Sequence, residues 1–136
     1  MGRLAVLVPA VILAACSGAT SVADLAVGDC FDDPNEPIIS ELELIDCDQP
    51  HDNEVFANLQ VEESVYPGEE VFNSFAVDAC LAPFEAYVGE SYADSPLDYW
   101  YLTPTEESWA AGDRAITCVL YSADLSSLTG SARPAG

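Results

Sequence analysis

RAITCVLY, residues 114–121, decides the fold. It is a run of branched, aliphatic and aromatic side chains without glycine or proline, the composition of a strand buried in a sheet. Gly112-Asp113 just before it reads as a sharp reversal, and Pro104 to Trp109 as a short helical turn. Leu97-Asp98-Tyr99-Trp100-Tyr101-Leu102 reads as a second strand. Side chains alternate across a strand, so Tyr99 and Tyr101 share one face and Trp100 takes the other. Trp100 is expected in the core, and the two tyrosines are either core or an exposed binding platform.

Further upstream the period changes. Pro67-Gly68 breaks the chain, and Glu69 and Glu70 then open a helical pattern, well placed for acids at a helix start. Phe72, Phe75, Ala76, Ala79 and Cys80 recur at helical spacing and are expected on one buried face. Pro83 kinks or restarts this helix, and Gly89 ends it. Before the helix, Glu54 to Glu62 reads as a strand with Val55, Ala57, Leu59 and Val61 at alternate places. The segment 48–52 is a turn, Glu41 to Cys47 another strand, 32–37 a loop, and Cys30-Phe31 a short extended piece after a turn at Gly28. The sum is an α+β domain over residues 24–124: an antiparallel sheet of about four or five strands with one main helix packed on one face. Residues 125–136 are small and polar and are expected to form a flexible tail.

The chain holds five cysteines. Met1-Gly2-Arg3, an uncharged run from Leu4 to Ala15, and Leu13-Ala14-Ala15-Cys16 look like a lipoprotein signal with its lipobox. Such a signal is removed as residues 1–15 and leaves a diacylglyceryl lipid on Cys16, with residues 16–23 as a short tether. The apolar run falls short of the roughly 20 residues that a spanning helix needs. With Cys16 so assigned, Cys30, Cys47, Cys80 and Cys118 remain for two disulfides, which an exported location permits. Of the three possible pairings, Cys30–Cys47 and Cys80–Cys118 are favoured, because each closes a loop between neighbouring elements. No Cys-x-x-Cys pair is present, which argues against zinc.

The net charge is −21, from 24 acidic residues against three arginines and no lysine. Such a surface repels nucleic acid and anionic head groups, and favours cationic partners or simple solubility. Asp29, Asp32, Asp33, Asn35 and Glu36 are oxygen donors close in sequence, but the spacing of a calcium loop is missing, so no metal is expected. His51, the only histidine, has Glu54 nearby; it reads as a turn residue bonded to backbone or to Glu54, and less readily as a general base. Arg114 is expected to pair with the acidic Cys47–Glu54 segment and lock the Gly112-Asp113 turn against it. No catalytic motif is present, so the chain reads as a non-enzyme without cofactor.

Gly28-Asp29-Cys30-Phe31, Cys47-Asp48-Gln49-Pro50-His51 with Glu54-Val55-Phe56, Cys80 with Tyr87-Val88-Gly89, Pro104 before Trp109, and Gly112-Asp113-Arg114 with Cys118 form a recognisable series. It resembles the septum formation-related domain of actinobacterial exported and membrane proteins, over roughly residues 24–124. The resemblance implies a role linked to the cell envelope or septum and implies no enzyme activity. The resulting expectation is a lipoprotein on the extracytoplasmic face of the cell membrane, binding an envelope protein or cell-wall partner. The alternatives are a factor or enzyme acting on cell-wall material, and a cation-binding acidic domain.

Overall fold

The structure is a computed structural model and describes residues 18–135. The predicted signal and Cys16 lie outside the described residues. Six strands, β1 (Ala19–Ser21), β2 (Cys30–Phe31), β3 (Glu41–Ile45), β4 (Asn53–Gln60), β5 (Leu97–Leu102) and β6 (Ala115–Ser122), form one antiparallel sheet in the order β1-β3-β2-β4-β6-β5. The helices are α1 (Glu69–Ala79), α2 (Leu81–Val88) and the short α3 (Glu106–Ala110). The α+β class and the helical layer on one face are as the sequence predicts. The sheet has one strand more, because Ala19–Ser21, inside the predicted tether, pairs with Glu41–Glu43 of β3.

RAITCVLY forms the heart of the sheet, with β6 between β4 and β5 and Ile116 to Leu120 nearly all inaccessible to solvent. Cys118 faces the helices and bonds Cys80 at the α1–α2 junction, while Cys30 bonds Cys47 across the β2–β3 edge. Both predicted disulfides are present. Pro83 falls in the first turn of α2, where a missing N–H leaves no bond unmade. Gly89 caps α2 at φ 82°, a left-handed conformation that glycine adopts without strain.

One face of the sheet packs on α1, α2 and α3 through Phe56, Ala57, Phe84, Ile116, Cys118 and Leu120. The opposite face holds Phe31, Leu42, Val55 and Val119, packed with Leu25 and with Trp100 and Leu102 at its margin. Two predicted details change. On α1, Phe72, Ala76 and Cys80 point inward, but Phe75 is 57% exposed. Three residues turn a helix by about 300°, so Phe75 lies off the stripe that Phe72 and Ala76 define.

On β4, the four alternate residues do not share a face. Val55 pairs with Val119 and Ala57 with Cys118, so Phe56 is an extra residue, a β-bulge. Val55 packs on the far face, whereas Ala57 and Leu59 pack on the helix face. A bulge re-aims the side chains on one side of it. Here the shift turns Glu54 and Phe56 toward the helices.

The segment after Asp124 returns to the domain, contrary to the expected loose tail. His51 and Leu128 exchange backbone hydrogen bonds at 2.9 and 2.7 Å, and the Gly130 amide donates to the Cys47 carbonyl at 2.7 Å. Backbone bonds to buried His51 and half-buried Cys47, together with Leu128 and Ala132 packed against the helix-side core, seat the segment.

Candidate functional site

The bulge on β4 delivers a carboxylate into the interior. Glu54 is completely buried. Its Oε1 accepts from the Tyr87 hydroxyl at 2.7 Å and from the Ser131 hydroxyl at 2.5 Å, and its Oε2 accepts from the Ala132 amide at 2.7 Å. A carboxyl group taken out of water needs hydrogen-bond donors in exchange, and here they come from α2 and from the returning segment. Arg133 adds a cation 5.5 Å above the Tyr87 ring.

His51 lies beside this cluster and is also completely buried. Its Nδ1–H donates to the Gln49 carbonyl at 2.8 Å, the turn geometry expected of it, while Nε2 has no hydrogen-bond partner. A ring nitrogen of His51, the Cys30 sulfur and a Glu54 oxygen lie within 4.8 Å of one another. They are not a metal set, because Cys30 is committed to its disulfide and offers no thiolate. The bonds of Glu54 tie β4 to α2 in the interior and to residues 131–132 nearer the surface.

The other predicted residues are placed as follows. Arg114 does not approach Glu54. Glu54 pairs with Leu120, whereas the Arg114 carbonyl accepts from Val61 at the far end of β4, about 20 Å away at the usual rise per residue. Arg114 instead lies over Trp109, its guanidinium carbon 3.6 Å from the ring centroid, and donates to the carbonyls of Trp109 and Asp113. Tyr99 belongs to the helix-side core, with ring centroids 5.6 Å from Phe84 and 5.3 Å from Tyr92, and its hydroxyl donates to the Val77 carbonyl at 2.8 Å. Tyr101 packs against the same core, so the two tyrosines do not form an open platform. Trp100 lies on the opposite face, edge-on to Phe31, and donates to Asn53 at 2.9 Å.

The acidic loop separates. Asp32, Asp33, Asn35 and Glu36 border a groove of about 580 Å³ together with Glu41 and Glu43. Asp29 instead accepts from the Ala26 amide, and Asp33 is engaged by Asn53 at 2.7 Å. Sequence reasoning missed Tyr87, Ser131 and Ala132 as partners of Glu54. The one available signal is an acid directly before the apolar stretch Val55-Phe56-Ala57, a position that demands donors once buried.

Two tyrosines report these contacts. Burial first, and then the hydrogen bond to Glu54, pushes the Tyr87 hydroxyl up to about 12. A hydrogen bond to Asp98, with burial second, pushes Tyr92 up to about 12. Burial raises Tyr99 and Tyr121 as well. Each of these groups holds its proton more tightly folded than unfolded. The stability they contribute is therefore complete below pH 10 and is lost as pH rises from about 10 toward 12. In a spectrophotometric titration of the folded protein, tyrosines should ionise in this late range, and Tyr87→Phe should delete one of the late ionisations. Uniform ionisation of all six tyrosines near pH 10 would contradict the hydrogen bonds described.

The profile of the family described as septum formation matches residues 27–134. Neither the curated proteins nor the solved structures yield a match to the chain. The matched stretch takes in both disulfides, His51 and Glu54, and it extends through Ser131 and Ala132, well beyond residue 124. The chain therefore belongs to the septum formation family, a membership that links it to the septum or cell envelope.

Proposed function

We propose that the chain is a lipid-anchored extracytoplasmic domain that acts by binding an envelope partner, without catalysis. The observation that carries this reading is the sealing of Glu54 and His51. The carboxylate is saturated by internal donors, and neither side chain is open to a substrate. An enzyme acting on cell-wall material through His51 would need a route to its ring. Supporting the anchor, the two disulfides engage four cysteines and leave Cys16, at the lipobox, as the fifth. Among the described residues no helix is long and apolar enough to cross a membrane. Strand β1 begins three residues after Cys16, so a lipid there would hold the sheet within about 10 Å of its attachment point.

Cys16→Ala should move the protein from the membrane fraction to the soluble fraction of cells. A variant that stays with the membrane would remove the lipid from the proposal. Crosslinking in intact cells, with the lipidated protein as bait, should capture an envelope protein or cell-wall fragment. Failure to capture either would count against the binding role.

A further inference from the structure

We propose that the groove between α1 and the end of β4 is a docking site for a partner segment with an apolar anchor flanked by lysine or arginine. The inference rests on the binding role proposed above and names the surface and the chemistry.

The groove has a volume of about 340 Å³, with Val61, Pro67 and Phe72 in its lining and Val71 and Phe75 along α1. Val71 is 55% exposed and Phe75 57%. They are one helical turn apart, so they make a continuous strip. The inward stripe of α1 is complete without them, since Phe72, Ala76 and Cys80 already meet the sheet. A phenylalanine so open to water is a cost to solubility that the fold does not require. An anchor laid in the groove would cover it.

Charge selects the occupant. Glu62 and Glu63 also line the groove, and Glu69 and Glu70 occupy the first turn of α1 beside Val71; all four are exposed. Of the two described arginines, Arg114 is spent on Trp109 and on two carbonyls, and Arg133 lies over Tyr87. A second copy of the chain would bring two such acidic rims together at a net charge of −21 on each molecule. An anionic lipid surface would meet the same repulsion. A basic segment with an apolar centre satisfies both the strip and its rim, with electrostatics steering the encounter and burial holding it.

The test is a binding titration of the full chain with the dye-labelled peptide Lys-Lys-Leu-Trp-Leu-Lys-Lys, alongside the peptide in which every lysine is replaced by glutamate. The basic peptide should bind, more weakly as salt is raised, and the acidic one should not. Phe75→Ser and Val71→Ser alter exposed side chains, so folding should persist and is checked by circular dichroism. Each should weaken binding by about tenfold. Replacing Glu62, Glu63, Glu69 and Glu70 by glutamine should flatten the salt dependence. Absence of binding, equal binding by Phe75→Ser, or equal binding of the acidic peptide would overturn the site. So would self-association, or sedimentation with phosphatidylglycerol vesicles, that Phe75→Ser abolishes, since the occupant would then be a second copy or a membrane. Crosslinking in cells separates the two levels. If Phe75→Ser still captures the same partner as wild type, the groove is wrong and the binding role stands. If wild type captures nothing, the binding role itself fails.

Discussion

Replacing Cys80 and Cys118 together by alanine should lower the unfolding free energy by about 4 kcal/mol. The bond joins residues 38 apart in sequence. Closing a loop of that length removes conformational freedom mainly from the unfolded chain, and the chain-entropy relation gives the figure. The corresponding change at Cys30 and Cys47, 17 residues apart, should cost about 3 kcal/mol. Position strengthens the contrast. Cys80 and Cys118 are both inaccessible to solvent, and they join the α1–α2 junction to the central strand of the sheet. Each alanine therefore also gives up some packing in the helix-side core. Domains of this size are stable by about 5–15 kcal/mol in all, so the larger loss takes about a quarter or more of that stability. Urea unfolding of the two double variants would show it as two displaced midpoints, the Cys80/Cys118 pair moving further. A loss below about 1 kcal/mol for that pair would mean that the bridge only decorates a layer contact already secure without it.

That bridge could be anticipated because its causes are local and periodic. RAITCVLY announces a buried strand, Cys80 ends a helical stripe, and four cysteines in an exported chain look for partners. Leu97–Leu102 was legible for the same reason: alternation sorts Tyr99 and Tyr101 from Trp100, and the two faces of the sheet take them as sorted. What was not legible depends on single residues that break a period. One extra residue at Phe56 reverses the facing of β4, so an alternation pattern read straight through places Val55 with Ala57 and misses that Glu54 turns inward. Sequence allows Arg114 to meet Glu54 only because it does not give register. Once β4 and β6 are aligned, the two stand at opposite ends of the ladder. The last residues are illegible for a different reason. Its serines, alanines and glycines carry little apolar signal and its two leucines show no period, while the segment is held by backbone groups, one hydroxyl and the packing of Leu128 and Ala132, whose partners are chosen by the rest of the fold.

Glu54→Ala should destabilise the protein by about 4 kcal/mol, comparable to loss of the longer disulfide, although it removes no covalent bond. Removal of the carboxylate leaves the buried Tyr87 hydroxyl without its acceptor, and with it the Ser131 hydroxyl and the Ala132 amide, which lie nearer the surface and are only part-buried. Each stranded buried donor costs about 1–3 kcal/mol, reduced where relaxation admits water. Tyr87→Phe is the control. It withdraws one donor, leaves the carboxylate two others, and should cost only about 1–2 kcal/mol. The form of the loss also differs from that of a disulfide. The bridge acts on the whole unfolded chain, whereas Glu54 clamps Ser131 and Ala132 onto β4 and α2. Glu54→Ala should therefore release the last turn of chain first, with faster proteolysis between residues 125 and 135 and faster amide exchange at Ala132 while β6 stays protected. Ser131→Ala in the Glu54→Ala background should then cost less than it does in the wild type, because the bond it deletes is already gone. If the two losses simply add, or if Glu54→Ala leaves both stability and exchange at Ala132 unchanged, the carboxylate is not the clamp. The reason for a buried carboxyl group beside Val55 and Phe56 would then have to be sought in His51, whose Nε2 is the one unsatisfied buried side-chain atom among the described residues.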